Sequence, residues 1–302
     1  MERTEITLKG GLINTAPYHK LVGPDGFIPY LESKLTGEPQ IVELGTAPAS
    51  TMEVYVKKAI VKAQSYQVSA EIPMSTSRDL DKLHGVSATD KMEATMYNEA
   101  VATVEKQIAK EYWENAWTNY ENEKSGWQSF VLSFFGLEKY TYVDNNPNAL
   151  ASRIRALSNK IATETRRGPG NFVILSSQLL MLLEDCPAFH FDTGQPSLTK
   201  EHSHSYLRAG YLGNIIVYHN TTDQWNSMEI LVGRMGANDE PGIHFCEYSN
   251  EYQTMVDPLT MSTKMRLLSR YDVVRVGDCD GFYIADLISL EKKPWWRKLF
   301  RL

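Results

Sequence analysis

The sequence predicts an α+β protein, and two observations lead there. Helical and extended patterns fall in partly separate runs rather than in strict alternation, and one amphipathic helix is far longer than any other element. The composition agrees: 302 residues, 42% hydrophobic and 23% charged, describe a chain able to bury a sizeable core rather than a disordered or collagen-like one.

The elements follow in order. The amino-terminal MERTEITLKGG mixes acid and base without an apolar run, and no stretch approaches the roughly 18 apolar residues of a spanning helix, so secretion and membrane insertion are not expected. Between Gly10 and Ser50 lie six Gly, five Pro and little apolar periodicity, which suggests an extended arm lying on a surface rather than a packed subdomain. From Val54 to Ile72 the pattern turns to period two, with Val54, Val56, Ile60, Tyr66, Val68, Ala70 and Ile72 on one side. A single strand of that length would span about 60 Å, so two strands or a projecting arm are expected, and Lys58, Lys62 and Gln64 make it too polar for a central strand.

After Pro73 a short helical turn, SRDLDKLHG, precedes the long helix. Ser87 or Thr89 caps it, Met92, Met96, Ala100, Val104, Ile108 and Tyr112 recur every four residues, and the pattern runs from Asp90 to about Trp117. A spacing of four drifts around a 3.6-residue helix, so the apolar stripe spirals and needs more than one partner. It reads as a spine. Beyond it, 149–164 and 177–184 are helical, 172–175 is a buried strand, 214–218 and 229–232 are strands, and further strand candidates run from Ile243 to Ile288.

No constellation of nucleophile, base and acid emerges, and no catalytic residue, cofactor site or metal site is assigned. His202 and His204, with Glu201, lie in what reads as a solvated loop rather than a metal site. Asp278-Cys279-Asp280-Gly281 reads as a turn between strands, because no acid stands where a calcium loop needs its twelfth ligand. Ser176 and Ser177 follow a strand without GxSxG geometry, and Ser177 is expected to cap a helix. In Arg166-Arg167-Gly168-Pro169-Gly170-Asn171 the glycines are expected to stop a helix whose dipole the arginines favour. The three cysteines, Cys186, Cys246 and Cys279, have no CxxC spacing and are expected as buried thiols.

Charge is unevenly placed. Lys and Arg number 31 against 37 Asp and Glu, a net −6, yet KKPWWRKLFRL at the end holds five bases and no acid, so the rest carries 26 against 37, or −11. An acidic body does not suit a general nucleic-acid binder. Trp295, Trp296 and Phe300, interleaved with Arg297, Lys298 and Arg301, are expected to dock on protein as an assembly element, with base stacking or a membrane surface as the alternative.

Four segments carry a resemblance: VYVKKAIVKAQSYQVSAEIPMSTSRDLDKLHGVSATDKMEATMYNEAVATVEKQIAKEYW, IATETRRGPGNFVILSSQLLMLLE, VGRMGANDEPGIHFCEY and VDPLTMSTKMRLLSRYDV. In this order they resemble the major capsid proteins of T-even-type contractile-tailed phages, with the RxGxGNF and DPxT…K…RY elements the more specific. The resemblance implies the HK-97 fold: an arm at 1–53, an extended loop and entry to the peripheral domain at 54–88, a peripheral domain with the spine at 89–146, a mainly axial domain at 147–235, return strands at 236–291 and the basic aromatic tail at 292–302. It also implies self-assembly into hexamers and pentamers of an icosahedral head around double-stranded DNA, bound without sequence specificity. Portal, scaffold and decoration proteins would be partners, no membrane would be involved, and the protein would pass from host cytoplasm to the virion. Candidate assembly contacts are Lys57, Lys58, Lys62, Tyr66, Arg166, Arg167, Trp295, Trp296, Arg297 and Phe300. Processing after Glu in an Ile/Leu-x-Glu context, which some such proteins undergo, finds a match at Ile41-Val42-Glu43 and another at Leu182-Leu183-Glu184, and cleavage at Glu43 is not expected. An encapsulin-like compartment shell or another phage assembly protein is the alternative within the resemblance. A metal-dependent enzyme using His202, His204 or the Asp278 to Asp280 turn is the alternative outside it.

Overall fold

The spine helix organises the molecule. In the computed structural model, which describes residues 2–5, 8–36, 51–85, 87–123, 141–192, 205–222 and 228–290, it runs Ala88–Glu123 (α2), after a short helix Met74–His84 (α1). At 36 residues it is about 54 Å long, a turn and a half beyond the expected end at Trp117. Ser87 rather than Thr89 supplies the cap, its Oγ accepting the Asp90 N–H at 3.3 Å. The predicted row Met96, Ala100, Val104, Ile108 and Tyr112 is buried, and so is a second row, Val101, Ala109, Trp113 and Ala116. Two rows are buried because the helix packs against both sheets of the fold.

The first sheet has the order β1-β12-β13-β5, built from Glu2–Glu5 (β1), Gly242–Val256 (β12), Thr263–Val276 (β13) and Gln64–Ile72 (β5); Tyr18–Lys20 (β2) adds to β12 in parallel beside β1. The second is mixed, with the order β6-β14-β11-β7-β10-β9-β8: Thr141–Tyr142 (β6), Tyr283–Ser289 (β14), Glu229–Gly233 (β11), Phe172–Ser176 (β7), Ile215–Asn220 (β10), Tyr206–Leu212 (β9) and Phe189–Phe191 (β8). Its central strands β14, β11 and β7 are covered on both faces, which explains their continuous apolar runs. Phe172, Ile174, Tyr218, Leu231, Tyr283 and Ala285 join the core around α2. Val173, Leu175, Val217, Ile230, Val232 and Ile284 join a second core under Pro147–Thr165 (α3) and Ser177–Glu184 (α4).

Several expectations meet a different structure. Residues 8–21 are not a surface arm: Leu8, Leu12, Ile13 and Ala16 are buried in the α2 core around a 3-10 turn, Gly11–Thr15. The period-two run falls into two strands, as expected, Thr51–Lys62 (β4) and β5, but it does not keep one face, because the buried parity changes at Ala63. Tyr66, Val68 and Ala70 pack on the core from β5, whereas Val54, Val56 and Ile60 of β4 face solvent and Val61 is buried. The strand Asp25–Thr36 (β3), which Gly26 and Pro29 disguise in the sequence, pairs with β4 along its whole length as a two-stranded ribbon.

The glycines do not end α3. Arg166 itself takes the left-handed cap conformation (φ 54°), while Gly168 is favoured by its own backbone, whose φ of 128° side chains rarely adopt. Ser177 does not cap α4; the cap position is Ser176, which makes no side-chain bond to the helix, and Ser177 Oγ is hydrogen-bonded to His219 Nε2 at 2.8 Å. The Asp278 to Gly281 segment is a turn, with the Asp280 N–H donating to Asp278 Oδ1 at 3.1 Å, and all three cysteines are free and buried. The histidines at 202 and 204, the Glu43 motif and the tail lie outside the described residues.

Candidate assembly surface

The β3–β4 ribbon has two unlike faces, a consequence of strand alternation. At its base one face is anchored: Ile28 and Val61 are buried with Leu21, Cys246 and Val276. The other face carries cross-strand apolar pairs, Phe27 with Ile60 and Leu31 with Val56. Phe27 is 55% exposed, Val56 66% and Ile60 75%. A two-stranded ribbon is marginal on its own in water, and burying a residue such as Phe or Ile fully is worth about 1.5–3 kcal/mol. The stripe is therefore a surface on which a partner would gain much and solvent gains nothing.

The lysines singled out from the sequence lie on this ribbon. Lys58 stands opposite Pro29 between the two apolar pairs, its Nζ 4.3 Å from the centre of the Phe27 ring. Lys57 is on the other face opposite Tyr30, and Lys62 closes the ribbon opposite Asp25, its backbone N–H donating to Asp272 Oδ2 at 3.2 Å. Tyr66 is placed differently. It stacks on Tyr271 with ring centres 4.5 Å apart, part of the core beneath β5.

Arg166 and Arg167 sit in the loop from α3 to β7. Arg167 and Arg234 approach one carboxylate, Glu240, at 4.0 and 3.6 Å, and Arg234 Nη1 also donates to the Pro169 carbonyl at 3.4 Å. The neighbouring Asp239 carbonyl accepts the Leu31 N–H of the ribbon at 3.0 Å. The arginine loop and the ribbon thus meet at the connection before β12, which the sequence did not reveal.

Two clusters hold the amino-terminal segment in place. Glu105, fully buried in α2, accepts the N–H groups of Leu12 (3.0 Å), Ser205 (2.8 Å) and Tyr206 (3.3 Å). Burial pushes its carboxyl up to about 7, against the pull of those three donors. The second cluster is His19 of β2 with His244 of β12. Neither was marked in the sequence: a Glu among Lys and Gln on a helix reads as solvated, and the two histidines are 225 positions apart.

A model of the family described as major capsid protein Gp23 matches residues 27–281, from inside β3 to just before β14. The chain belongs to that family. Relatives include the major capsid proteins of Enterobacteria phages T6 and T4, each 24% identical over 216 residues, 67% of this chain and 41% and 40% of theirs. That of Vibrio phage KVP40 is 26% identical over 140 residues, 44% of this chain and 26% of its own. The chain spans about two fifths of the length of the T6 and T4 proteins. Among solved structures, the capsid structure of cyanophage P-SCSP1u superposes with a TM-score of 0.53 at 9% identity, covering 95% of this chain and 90% of that one. A chain of Microbacterium phage Oxtober96 gives 0.50 at 12% identity, covering 95% and 93%. The fold is thus that of phage capsid proteins of the HK-97 type, with α+β architecture.

Proposed function

We propose that this chain is the shell-forming subunit of a tailed-phage head, assembling into hexamers and pentamers around double-stranded DNA. The observation that carries this is the ribbon stripe of Phe27, Ile60, Leu31 and Val56: apolar, paired across two strands and turned away from its own core. A neighbouring copy covers it. Lys57, Lys58 and Lys62 on the ribbon, and Arg166 and Arg167 on the loop it meets, then supply polar contacts around the stripe, and the tail residues Trp295, Trp296, Arg297 and Phe300 dock within the assembly.

In this reading the ribbon is the extended loop, the α2 core and first sheet are the peripheral domain, and the second sheet with α3 and α4 is mainly the axial domain. The mechanism is packing rather than catalysis. Repetition of modest contacts around a closed shell makes the whole far more stable than one contact. The acidic body limits adhesion to the enclosed phosphates. The subunit is in host cytoplasm before assembly and in the virion afterwards, with portal, scaffold and decoration proteins as partners. Electron microscopy of the expressed chain, alone and with phage partners, tests this: closed shells are expected, and a chain that stays monomeric in every case overturns it.

A further inference from the structure

His19 and His244 stack with ring centres 5.0 Å apart and planes inclined by 16°, and His19 Nε2 lies 2.8 Å from His244 Nδ1. The other nitrogen of His244, Nε2, is 2.9 Å from the Glu240 carbonyl. A carbonyl only accepts, so His244 Nε2 carries a hydrogen, and in the neutral ring Nδ1 must be the acceptor. The hydrogen between the rings therefore belongs to His19. The pair forms a relay with one direction: His19 donates to His244, and His244 donates to Glu240.

We infer that this relay is a proton-released fastener for β2, and through β2 for the base of the ribbon. A proton on His19 goes to Nδ1 and leaves the relay whole. A second proton, on His244, has only Nδ1 to occupy, and it leaves a donor facing a donor and a second charge in a buried place. The backbone hold on β2 is short. Its ladder is three residues, Tyr18–Lys20 against Phe245–Glu247, extended by the Leu21 N–H to the Glu247 carbonyl (2.8 Å) and the Phe245 N–H to the Pro17 carbonyl (3.0 Å). The chain then runs directly into β3.

Among the described residues, the charged and titratable groups around the pair do not supply a compensating anion. The Glu240 carboxylate is already approached by Arg167 and Arg234, and Val274 lies opposite His244 on β13. On β14 the Tyr283 hydroxyl accepts the Ile243 N–H at 3.0 Å. In the β2–β12 ladder Cys246 lies opposite His19 and Glu247 opposite Lys20, while Asp272, opposite Cys246 on β13, accepts from Lys62. Burial, then the charge of His19, lowers His244 to about 4 against the opposing bond to Glu240; burial lowers His19 as well. A histidine lowered in the folded state gives stability that is present above its ordinary 6.5 and is lost as pH falls through about 4.

Hydrogen exchange on the full chain across that range tests the fastener. Corrected for intrinsic rates, opening at 18–21 and 245–247 should rise about tenfold per pH unit between 6.5 and about 4, the slope one proton imposes, while 251–254 stay protected. His244→Phe keeps a stacking ring that neither accepts nor titrates, and should abolish the slope. His19→Phe, at a half-buried position, removes the donor and the neighbouring charge but leaves His244 buried, and should reduce the slope in part even where His244→Phe fails to fold. Flat protection of β2 in the wild type, or an undiminished slope in His19→Phe, overturns the proposal.

Discussion

The carboxylate of Glu105 accepts the backbone N–H of Leu12 at 3.0 Å, fastening the 3-10 turn to the middle of the spine helix. Gly11 makes the approach possible. It has φ 48°, and a Cβ on it would overlap the Glu105 carboxylate. Gly11→Ala therefore meets both backbone strain and a blocked acceptor, and should destabilise the chain by about 1–3 kcal/mol. A lower urea midpoint at unchanged slope would show this; a midpoint equal to wild type would mean that the turn does not need the contact.

The same carboxyl gives stability a pH dependence. Held at about 7 in the folded chain rather than 4.5, Glu105 contributes stability that is full below 4.5 and is lost as pH rises through about 7. The difference amounts to about 3 kcal/mol. Glu105→Gln cannot ionise, so its stability curve should be flatter than wild type between pH 5 and pH 8 within roughly that margin. Parallel curves for the two proteins, measured by denaturant titration at each pH, would contradict the assignment.

On the ribbon, a charge in the stripe should separate folding from assembly. Phe27→Asp and Ile60→Asp alter exposed side chains, so monomer stability should stay within about 0.5 kcal/mol of wild type. Association should be lost because a carboxylate would be buried beneath the neighbour. Sedimentation of the variants beside wild type reads both effects, and normal assembly of Ile60→Asp would remove the stripe from the account.

In the second sheet, Asp286 is buried and accepts from Arg153 Nε (2.7 Å), Thr141 Oγ1 (3.0 Å) and its neighbour's Leu287 N–H (3.1 Å), joining α3, β6 and β14. Asp286→Ala strands those donors and should cost about 3 kcal/mol or more. Thermal unfolding of the variant checks it, and a change under about 1 kcal/mol would show that water replaces the carboxylate.

Much of this architecture is legible along the chain where burial is periodic. Met96, Ala100, Val104, Ile108 and Tyr112 mark the spine, and the Phe172 to Leu175 run marks a strand covered on both faces. Legibility ends where a long-range partner overrides local pattern. Pro29 hides β3 because its ladder is formed only with β4, and the even-numbered apolar residues from Val54 to Ile72 look like one face until Ala63 shifts the parity. Arg166 takes a conformation that local propensity assigns to the nearby glycines, and Gly168, two residues on, has a positive φ of its own (128°). Glu105, His19 and His244 act through partners about a hundred or more residues away, and no spacing in a single sequence encodes such pairs.

The central claim is that the ribbon stripe is covered by another copy of the chain. A cryo-electron microscopy reconstruction of assembled particles measures this directly. The account predicts a closed shell in which Phe27, Ile60, Leu31 and Val56 are buried against a neighbouring copy. A closed shell with those four side chains still facing solvent would contradict it.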